Sequence, residues 1–258
     1  GSFGTSHFGS CGRGVKQRGG DICMMDDTAE LSKDELLRSC LYGSLQDVQA
    51  LFTPELKDAL DSNGKGAMHA ACHNKSVGDL EMAKWLHEQG VALDTRSKVG
   101  RPPIHDACET GNLEIAQWMH ENGAAIDTAN NFGIHTIHCA CKSGNLALVQ
   151  YVVAKSGASV NLADSGGGTP MLFAAAGAES PSVEASLQLC QWLHAQGAKL
   201  DCKNKADVTP LKHAENGQKT KLMEWIKTAL EHEQAAPEQE RDVLITETGI
   251  GSNGRCCC

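Results

Sequence analysis

The feature of this sequence that most limits its possible folds is a pattern that recurs about every 33 residues. The segment GKGAMHAAC begins at Gly64, and related Ala-rich segments follow along the chain. Their fifth residue is apolar each time, with spacings of 36, 33, 34 and 40 residues: Met68, Ile104, Ile137, Met171 and Leu211. A period of this length is typical of repeat proteins, in which each unit buries its apolar face against its neighbours.

A second ladder with the same period consists of aromatic residues. Its members are 33, 33, 41 and 33 residues apart: Trp85, Trp118, Tyr151, Trp192 and Trp225. They lie in segments such as AQWMHENG, whose apolar residues follow the helical period. We therefore predict two helices per unit, a short Ala-rich inner helix and an amphipathic outer helix. We interpret the aromatic ladder as packing between outer helices, with a recognition stripe as the alternative.

The segments after each outer helix predict how one unit joins the next. A glycine stands where a left-handed residue commonly ends a helix: Gly90, Gly123, Gly157 and Gly197. The residues that follow are first extended and then rich in turn formers. This pattern predicts a β-hairpin between consecutive units.

This arrangement resembles the ankyrin repeat. The family pattern Gly-x-Thr-Pro-Leu-His-x-Ala-Ala, followed by Gly-His-Leu-Glu-Ile-Val, is nearly spelled out by residues 100–115 and 167–175. The resemblance implies an all-α repeat solenoid of helix-turn-helix units linked by β-hairpins. We expect about six units, of which the segments from Asp34 and from Asp207 are the two caps.

The array is predicted to span residues 30–234. The Gly-rich residues 1–29 and the polar residues 235–258 are predicted to be disordered tails. Two insertions, within 74–78 and 177–186, lengthen the loops between helices. Loops tolerate added length, and we favour that explanation over a regulatory phosphorylation site at Ser180.

Composition excludes several classes of protein. The net charge is −9 and aromatic residues make up 4% of the chain, which argues against nucleic-acid binding. No apolar run reaches the roughly 18–20 residues of a membrane span. The placement of the twelve cysteines within the repeat indicates a reducing compartment. We expect a cytoplasmic monomer.

The segment HTIHCAC, residues 135–141, contains two His and two Cys and so suggests a metal site. The repeat register offers a simpler explanation. Three histidines occupy one repeat position, where the ankyrin resemblance implies hydrogen bonds to the hairpin: His69, His105 and His138. No spacing matches a four-ligand zinc site, and no catalytic or phosphate-binding motif is present. We predict no metal, no cofactor and no enzymatic activity.

Four cysteines also share one position, on the inner helices: Cys40, Cys72, Cys108 and Cys141. Packed helices lie about 8–10 Å apart, whereas a disulfide needs a Cα separation below about 7 Å. We therefore expect small buried thiols rather than disulfide bridges.

The resemblance implies a protein-interaction scaffold or adaptor, because ankyrin arrays bind partners through a concave surface of hairpin tips and inner helices. Carried over to the central units, it gives these predicted contact residues: Lys98, Val99, Arg101, Asp106, Glu109, Asn131, Phe132, Ile134, Lys142 and Phe173. Phe132 and Ile134 are apolar at a turn, and basic residues adjoin them. We predict a mixed apolar and basic groove for an acidic or amphipathic segment of a partner protein. In the alternative, Phe132 folds back onto the adjacent tip.

The two tails suggest an alternative function, a lipid-anchored membrane recruitment factor with peripheral membrane association. The terminal triplet Cys256, Cys257 and Cys258 resembles the doubly prenylated ends of small GTPases of the Rab type, although it does not fit the Cys-a-a-X pattern. The opening GSFGT matches an N-myristoylation pattern if Gly1 follows a removed methionine. We favour the reading of Gly1 as a fragment end or a cloning scar.

Overall fold

The structure, a computed structural model, describes residues 27–74, 79–177 and 183–235. Within these ranges it contains twelve α-helices and one short 3-10 helix, Pro54–Leu56, and no β-strand. Most of the range that holds the first predicted insertion, half of the range that holds the second, and nearly all of both predicted tails lie outside the described residues. The predicted lipidation residues Gly1, Cys256, Cys257 and Cys258 lie outside them too.

The helices form six consecutive pairs, in agreement with the expected six units. In chain order they are α1 (Asp27–Tyr42), α2 (Leu45–Leu51), α3 (Ala67–His73), α4 (Asp79–Glu88), α5 (Pro103–Thr110), α6 (Leu113–Glu121), α7 (Thr136–Ser143), α8 (Leu146–Ser156), α9 (Pro170–Ala176), α10 (Val183–Ala195), α11 (Pro210–Asn216) and α12 (Thr220–Ala235). Each odd-numbered helix packs on the next odd-numbered helix, so these six are the inner layer. The even-numbered helices form the outer layer. The fold is the predicted all-α solenoid.

The inner helices pack closely because their facing side chains are small. Ala71, Ala107, Ala140 and Ala175 are fully buried, and the cysteines of the ladder are buried beside them. Each of the four units between the terminal caps buries one large apolar side chain, at the fifth residue of the repeated Ala-rich segment. These side chains are Met68, Ile104, Ile137 and Met171. Burying such a side chain contributes roughly 1.5–3 kcal/mol, so each unit is stabilised mainly by its neighbours.

The outer helices are joined by edge-to-face ring contacts. The ring centroids of Phe52 and Trp85 lie 5.2 Å apart, and those of His87 and Trp118 lie 5.7 Å apart. Further along, His120 approaches Tyr151 at 6.2 Å and His194 approaches Trp225 at 5.8 Å. The rings of the aromatic ladder are half-buried. The ladder is therefore accounted for by packing between successive units.

Side chains at the starts of outer helices also cap the inner helix of the preceding unit. The amide of Asn145 donates to the carbonyl of Gly111 at 2.8 Å. In the last unit Lys219 caps the preceding inner helix, because its ammonium donates to the carbonyls of Ala175 and Gly177 at 3.0 and 2.9 Å. Burial lowers the pKa of Lys219. These bonds satisfy carbonyls that a helix end leaves without partners.

The helix-ending glycines and the buried cysteines agree with the sequence predictions. The glycines expected to end the outer helices all have left-handed φ angles, between 65° and 97°. The seven cysteines within the described residues form no disulfide bond with one another, and those of the inner-helix ladder are fully buried. Burial raises the pKa of the Cys40 thiol to about 12, so it stays protonated.

Candidate interaction surface

Successive units are linked by five-residue turns, here called the tip turns. They comprise residues 61–65, 97–101, 130–134, 164–168 and 204–208. In each, the N–H of the first residue donates to the carbonyl of the fifth, at 2.8–3.2 Å. Isolated β-bridges flank two of them, at Leu60–Gly66 and Ala129–His135. The predicted β-hairpins are therefore not confirmed, because the described links are turns rather than paired strands.

The side chain of the first turn residue fixes the turn from inside. The carboxylate of Asp61 accepts the backbone N–H groups of Asn63 and Lys65, both at 2.8 Å. The side-chain oxygens of Asn130, Asp164 and Asn204 each accept two backbone N–H groups of their own turn in the same way, and that of Ser97 accepts one. The sequence analysis missed these residues. Their signal is an Asp, Asn or Ser three residues before the turn glycine, a common turn-forming pattern.

The fourth residue of all five turns has a positive φ angle and so a left-handed backbone conformation. It is a glycine in the first four and Asp207, with φ 56°, in the last. At Gly100 a side chain would also lack room, because a Cβ atom there would lie 2.2 Å from the side-chain oxygen of Asn131. The tip turns of the central units therefore depend on glycine.

Backbone hydrogen bonds connect each tip turn to the next and form what we call the tip ladder. The N–H of Lys98 donates to the carbonyl of Asn63 at 2.8 Å, and that of Asn131 donates to Val99 at 3.0 Å. The N–H groups of Ser165 and Lys205 donate in the same way to Phe132 and Gly166, at 2.9 and 2.8 Å. Neighbouring turns are thus held in fixed register, and so are the side chains they carry.

The shared histidines tie the inner helices to the links, as the ankyrin resemblance implied. The Nε2 atoms of His69, His105 and His138 lie 2.9–3.0 Å from backbone carbonyls of the following link. In two of the three, Nδ1 accepts the N–H of the residue three positions earlier, at 3.0–3.2 Å. At His105 that residue is Pro102, which has no N–H. The Nδ1 atom of His105 is consequently buried without a hydrogen-bond partner.

Two large apolar side chains project from adjacent central tip turns. Val99 is 41% exposed and Phe132 is 56% exposed. Only two other large apolar side chains are exposed within the described residues, Leu60 and Tyr42. The high exposure of the Phe132 residue argues against its folding back onto a neighbouring tip.

Beside these tips runs a line of alternating charges, here called the charge chain. It comprises Lys65, Asp106, Arg101, Glu109 and Lys142. Asp106 Oδ1 lies 3.1 Å from both Lys65 Nζ and Arg101 Nε. Glu109 pairs with Arg101 Nη2 through one oxygen, and with Lys142 Nζ at 2.5 Å through the other. The charge chain thereby connects three consecutive units.

Comparison with protein families agrees with this geometry. One family model, described as ankyrin repeats in three copies, matches residues 36–130, and a second, described as ankyrin repeats in many copies, matches residues 137–185. Together they cover more than half of the chain. The chain belongs to the ankyrin-repeat family. A search of curated proteins finds no match.

Membership in the ankyrin family carries a general functional meaning. Ankyrin repeats are generally protein–protein interaction modules and are typically non-enzymatic scaffolds. Among the residues described, no helix combines the length and apolarity needed to cross a bilayer.

The ankyrin frame places the ten predicted contact residues very differently. Lys98, Val99, Asn131, Phe132 and Lys142 are exposed at the tips or on α7. Ile134 is half-buried and packs against the core, and Phe173 is half-buried with its ring 5.1 Å from that of His138. These two offer a partner less surface than the sequence suggested.

Asp106 requires a correction, because its side chain is 1% exposed and cannot reach a partner directly. It instead orients Lys65 and Arg101 from below. Arg101 is largely buried as well and also donates to the carbonyl of His105 at 3.1 Å. The predicted basic groove is therefore less basic than expected, because Arg101 and Lys142 are already paired with carboxylates of this chain.

Glu109 is held as a carboxylate by the same contacts. Partial burial alone would raise its pKa, but the ion pairs with Lys142 and Arg101 outweigh burial and lower it. Of the basic side chains near the tips, Lys98 is exposed and forms no ion pair with any residue that the structure describes.

The metal interpretation of residues 135–141 receives no support from the geometry. Both ring nitrogens of His138 are engaged with backbone groups. Cys139 and Cys141 are buried, and burial raises the pKa of Cys139 to about 12. In the remaining side chain, the Nδ1 atom of His135 lies 2.9 Å from Oδ1 of Asp127. No group of three metal-binding side chains occurs among the described residues.

Proposed function

We propose that this protein is an ankyrin-repeat adaptor that binds a partner protein through its central surface. The central surface comprises Lys65, Lys98, Val99, Arg101, Glu109, Asn131, Phe132 and Lys142. One observation carries the proposal: two large apolar side chains, Val99 and Phe132, are exposed on adjacent turns whose backbones are hydrogen-bonded to each other.

The exposed position and the fixed backbone of these two side chains both favour binding. An exposed aromatic ring gains free energy when a partner covers it, and buried aromatic anchors supply much of the affinity in many interfaces. The tip ladder and the side-chain bonds within each turn fix the backbone before binding. Less conformational entropy is then lost on binding, which favours affinity.

Exchange of Val99 and Phe132 together for alanine tests the proposal. Partners captured from a cell extract and quantified by mass spectrometry should be lost from V99A/F132A. The matched control is Tyr42→Ala, since Tyr42 is 78% exposed but lies on the first helix, away from the central turns. Partners retained by the double variant, or lost equally from the Tyr42 control, would remove the central surface as the binding site. Arg101 is left intact because it also supports the fold.

The lipid-anchor alternative remains a prediction, because its residues lie outside the described part of the chain. The measurement is detergent partitioning of the full chain, purified from cells, against a chain that ends at Arg255. Loss of partitioning on removal of Cys256, Cys257 and Cys258 would support an anchor. Equal partitioning of the two chains would argue against it.

A further inference from the structure

We infer that the partner segment held by the central surface is acidic and carries a large apolar side chain. This inference rests on the proposed function and adds the chemistry of the partner. It follows from how hydrogen-bonding capacity is distributed over the surface.

The carboxylate oxygens on the central surface are already occupied or buried. Both oxygens of Glu109 are paired, one with Arg101 and one with Lys142. Beneath them, Asp106 Oδ1 accepts from Lys65 and Arg101, and its other oxygen is buried. A basic partner segment would therefore have to compete with Arg101 and Lys142 for the Glu109 carboxylate.

The ammonium groups, by contrast, have donors to spare. A lysine ammonium carries three N–H donors. Lys65 and Lys142 each donate one hydrogen bond to the charge chain, and both side chains remain partly exposed to water. Lys98, next to Val99, is exposed and makes no ion pair within the described residues. The capacity left for a partner is thus cationic and donating, which suits a carboxylate.

Local charge points in the same direction. The chain as a whole has a net charge of −9. The central surface and Asp106 together hold four cationic side chains against two carboxylates, so this region is positive on a negative protein. Such a region attracts acidic segments during encounter and disfavours basic ones.

The apolar requirement comes from the neighbours of these lysines. Lys98 directly precedes Val99 in its turn, and Phe132 occupies the matching position of the next turn. Cationic donors and exposed apolar surface are therefore side by side. A segment in which a carboxylate adjoins a leucine or an aromatic residue satisfies both at once, whereas a purely acidic segment leaves Phe132 in water.

Selection of random short peptides on the full chain tests this inference. The wild-type protein should enrich peptides in which Asp or Glu adjoins a large apolar residue. For the enriched peptides, Lys98→Glu with Lys142→Gln should weaken the Kd measured by fluorescence anisotropy about tenfold, and added salt should weaken wild-type binding. The control variant Lys199→Glu with Lys227→Gln changes the net charge equally at exposed sites elsewhere and should leave the Kd within about twofold.

The outcomes separate this inference from the function on which it rests. Peptides that need Val99 and Phe132 but show no acidic excess would overturn the inference and leave the proposed function standing. Equal weakening by the two charge variants would overturn it as well. If no enriched peptide depends on Val99 and Phe132, or if none is enriched, the proposed function fails together with the inference. Thermal melts of each variant check that the fold is intact.

Discussion

The central tip turns and the C-terminal tip turns share a backbone but differ in what they carry. Turns 130–134 and 204–208 close with the same hydrogen bonds and are both fixed by an asparagine at their first position. At the third position, however, the central turn presents Phe132 and the last turn Ala206. The third side chain takes no part in closing the turn, so it can vary without a change in the backbone frame.

The two regions also differ at the position of the shared histidine. The first three turn-bearing units have His69, His105 and His138, whereas the last two have Leu172 and Lys212. The charge chain likewise ends at Lys142 and does not continue onto α9 or α11. The central region therefore combines the proposed binding surface with buried polar groups, whereas the C-terminal region lacks both the shared histidine and the charge chain.

The largest expected difference between the regions is the loss in the free energy of unfolding when Arg101 is replaced. Arg101→Ala leaves the buried Asp106 with Lys65 as its close cationic partner, and it should lower the free energy of unfolding by about 3 kcal/mol. Urea denaturation measures this value. The control is Lys205→Ala in the last turn. Because Lys205 is exposed, this exchange should change the free energy of unfolding by less than about 0.5 kcal/mol. Equal effects of the two exchanges would contradict the structural role of the charge chain.

Acid should weaken the central region before the C-terminal one. Burial lowers the pKa of His69, His105 and His138, that of His105 to about 4. These rings stay neutral in the folded chain while the unfolded chain takes up protons below about pH 6.5. The free energy of unfolding is therefore unaffected by these rings above that pH and decreases as pH falls below it, for His105 down to about pH 4. For His105 alone the loss at pH 5 is about 2 kcal/mol.

Hydrogen-exchange protection at pH 7 and pH 5, corrected for the intrinsic exchange rate, measures the difference between the regions. Protection in α5 should fall more than protection in α12. The C-terminal region is not inert, because burial also lowers the pKa of His213, but that ring is only half-buried. A uniform decrease along the array would show that acid does not act through the shared histidines.

The smallest expected effect lies at the left-handed turn position. Asp207→Gly should raise the free energy of unfolding by about 0.5–1 kcal/mol, because Asp207 has a φ of 56° that glycine adopts without strain. The contact of Asp207 with Lys203, at 3.9 Å and largely exposed to water, adds little. The reverse exchange in the central unit, Gly100→Asp, should have the opposite sign. Thermal unfolding distinguishes the two, and a shift in the same direction for both would refute the explanation.

The sequence was sufficient to predict the frame because the frame is periodic. The apolar ladder, the aromatic ladder, the helix-ending glycines and the shared histidines repeat at similar spacings. Each repeated residue therefore supports the assignment of the equivalent residue in the next unit. The hairpin prediction was less successful for a physical reason. Extended-looking residues beside a turn pair as strands only if both flanks run on together, and here the inner helix begins within a few residues of the turn.

The charge chain was harder to foresee, although the register contains a signal for it. Glu109 and Lys142 are 33 residues apart and occupy equivalent inner-helix positions, so they are neighbours across units. What the register does not give is burial. Asp106 looks like an exposed helix residue in the sequence, but Arg101 and Lys65 approach it from two adjacent turns and His73 approaches it from α3.

The tip ladder has a direction, because every turn in it donates to the turn before. Each interior turn therefore brings one donor for its predecessor and one acceptor for its successor, and leaves neither unpaired. A unit inserted in register between two others would close its own bonds with no change to the turns on either side. The width of the proposed binding surface could be altered in this way one repeat at a time, independently of the side chains at Val99 and Phe132.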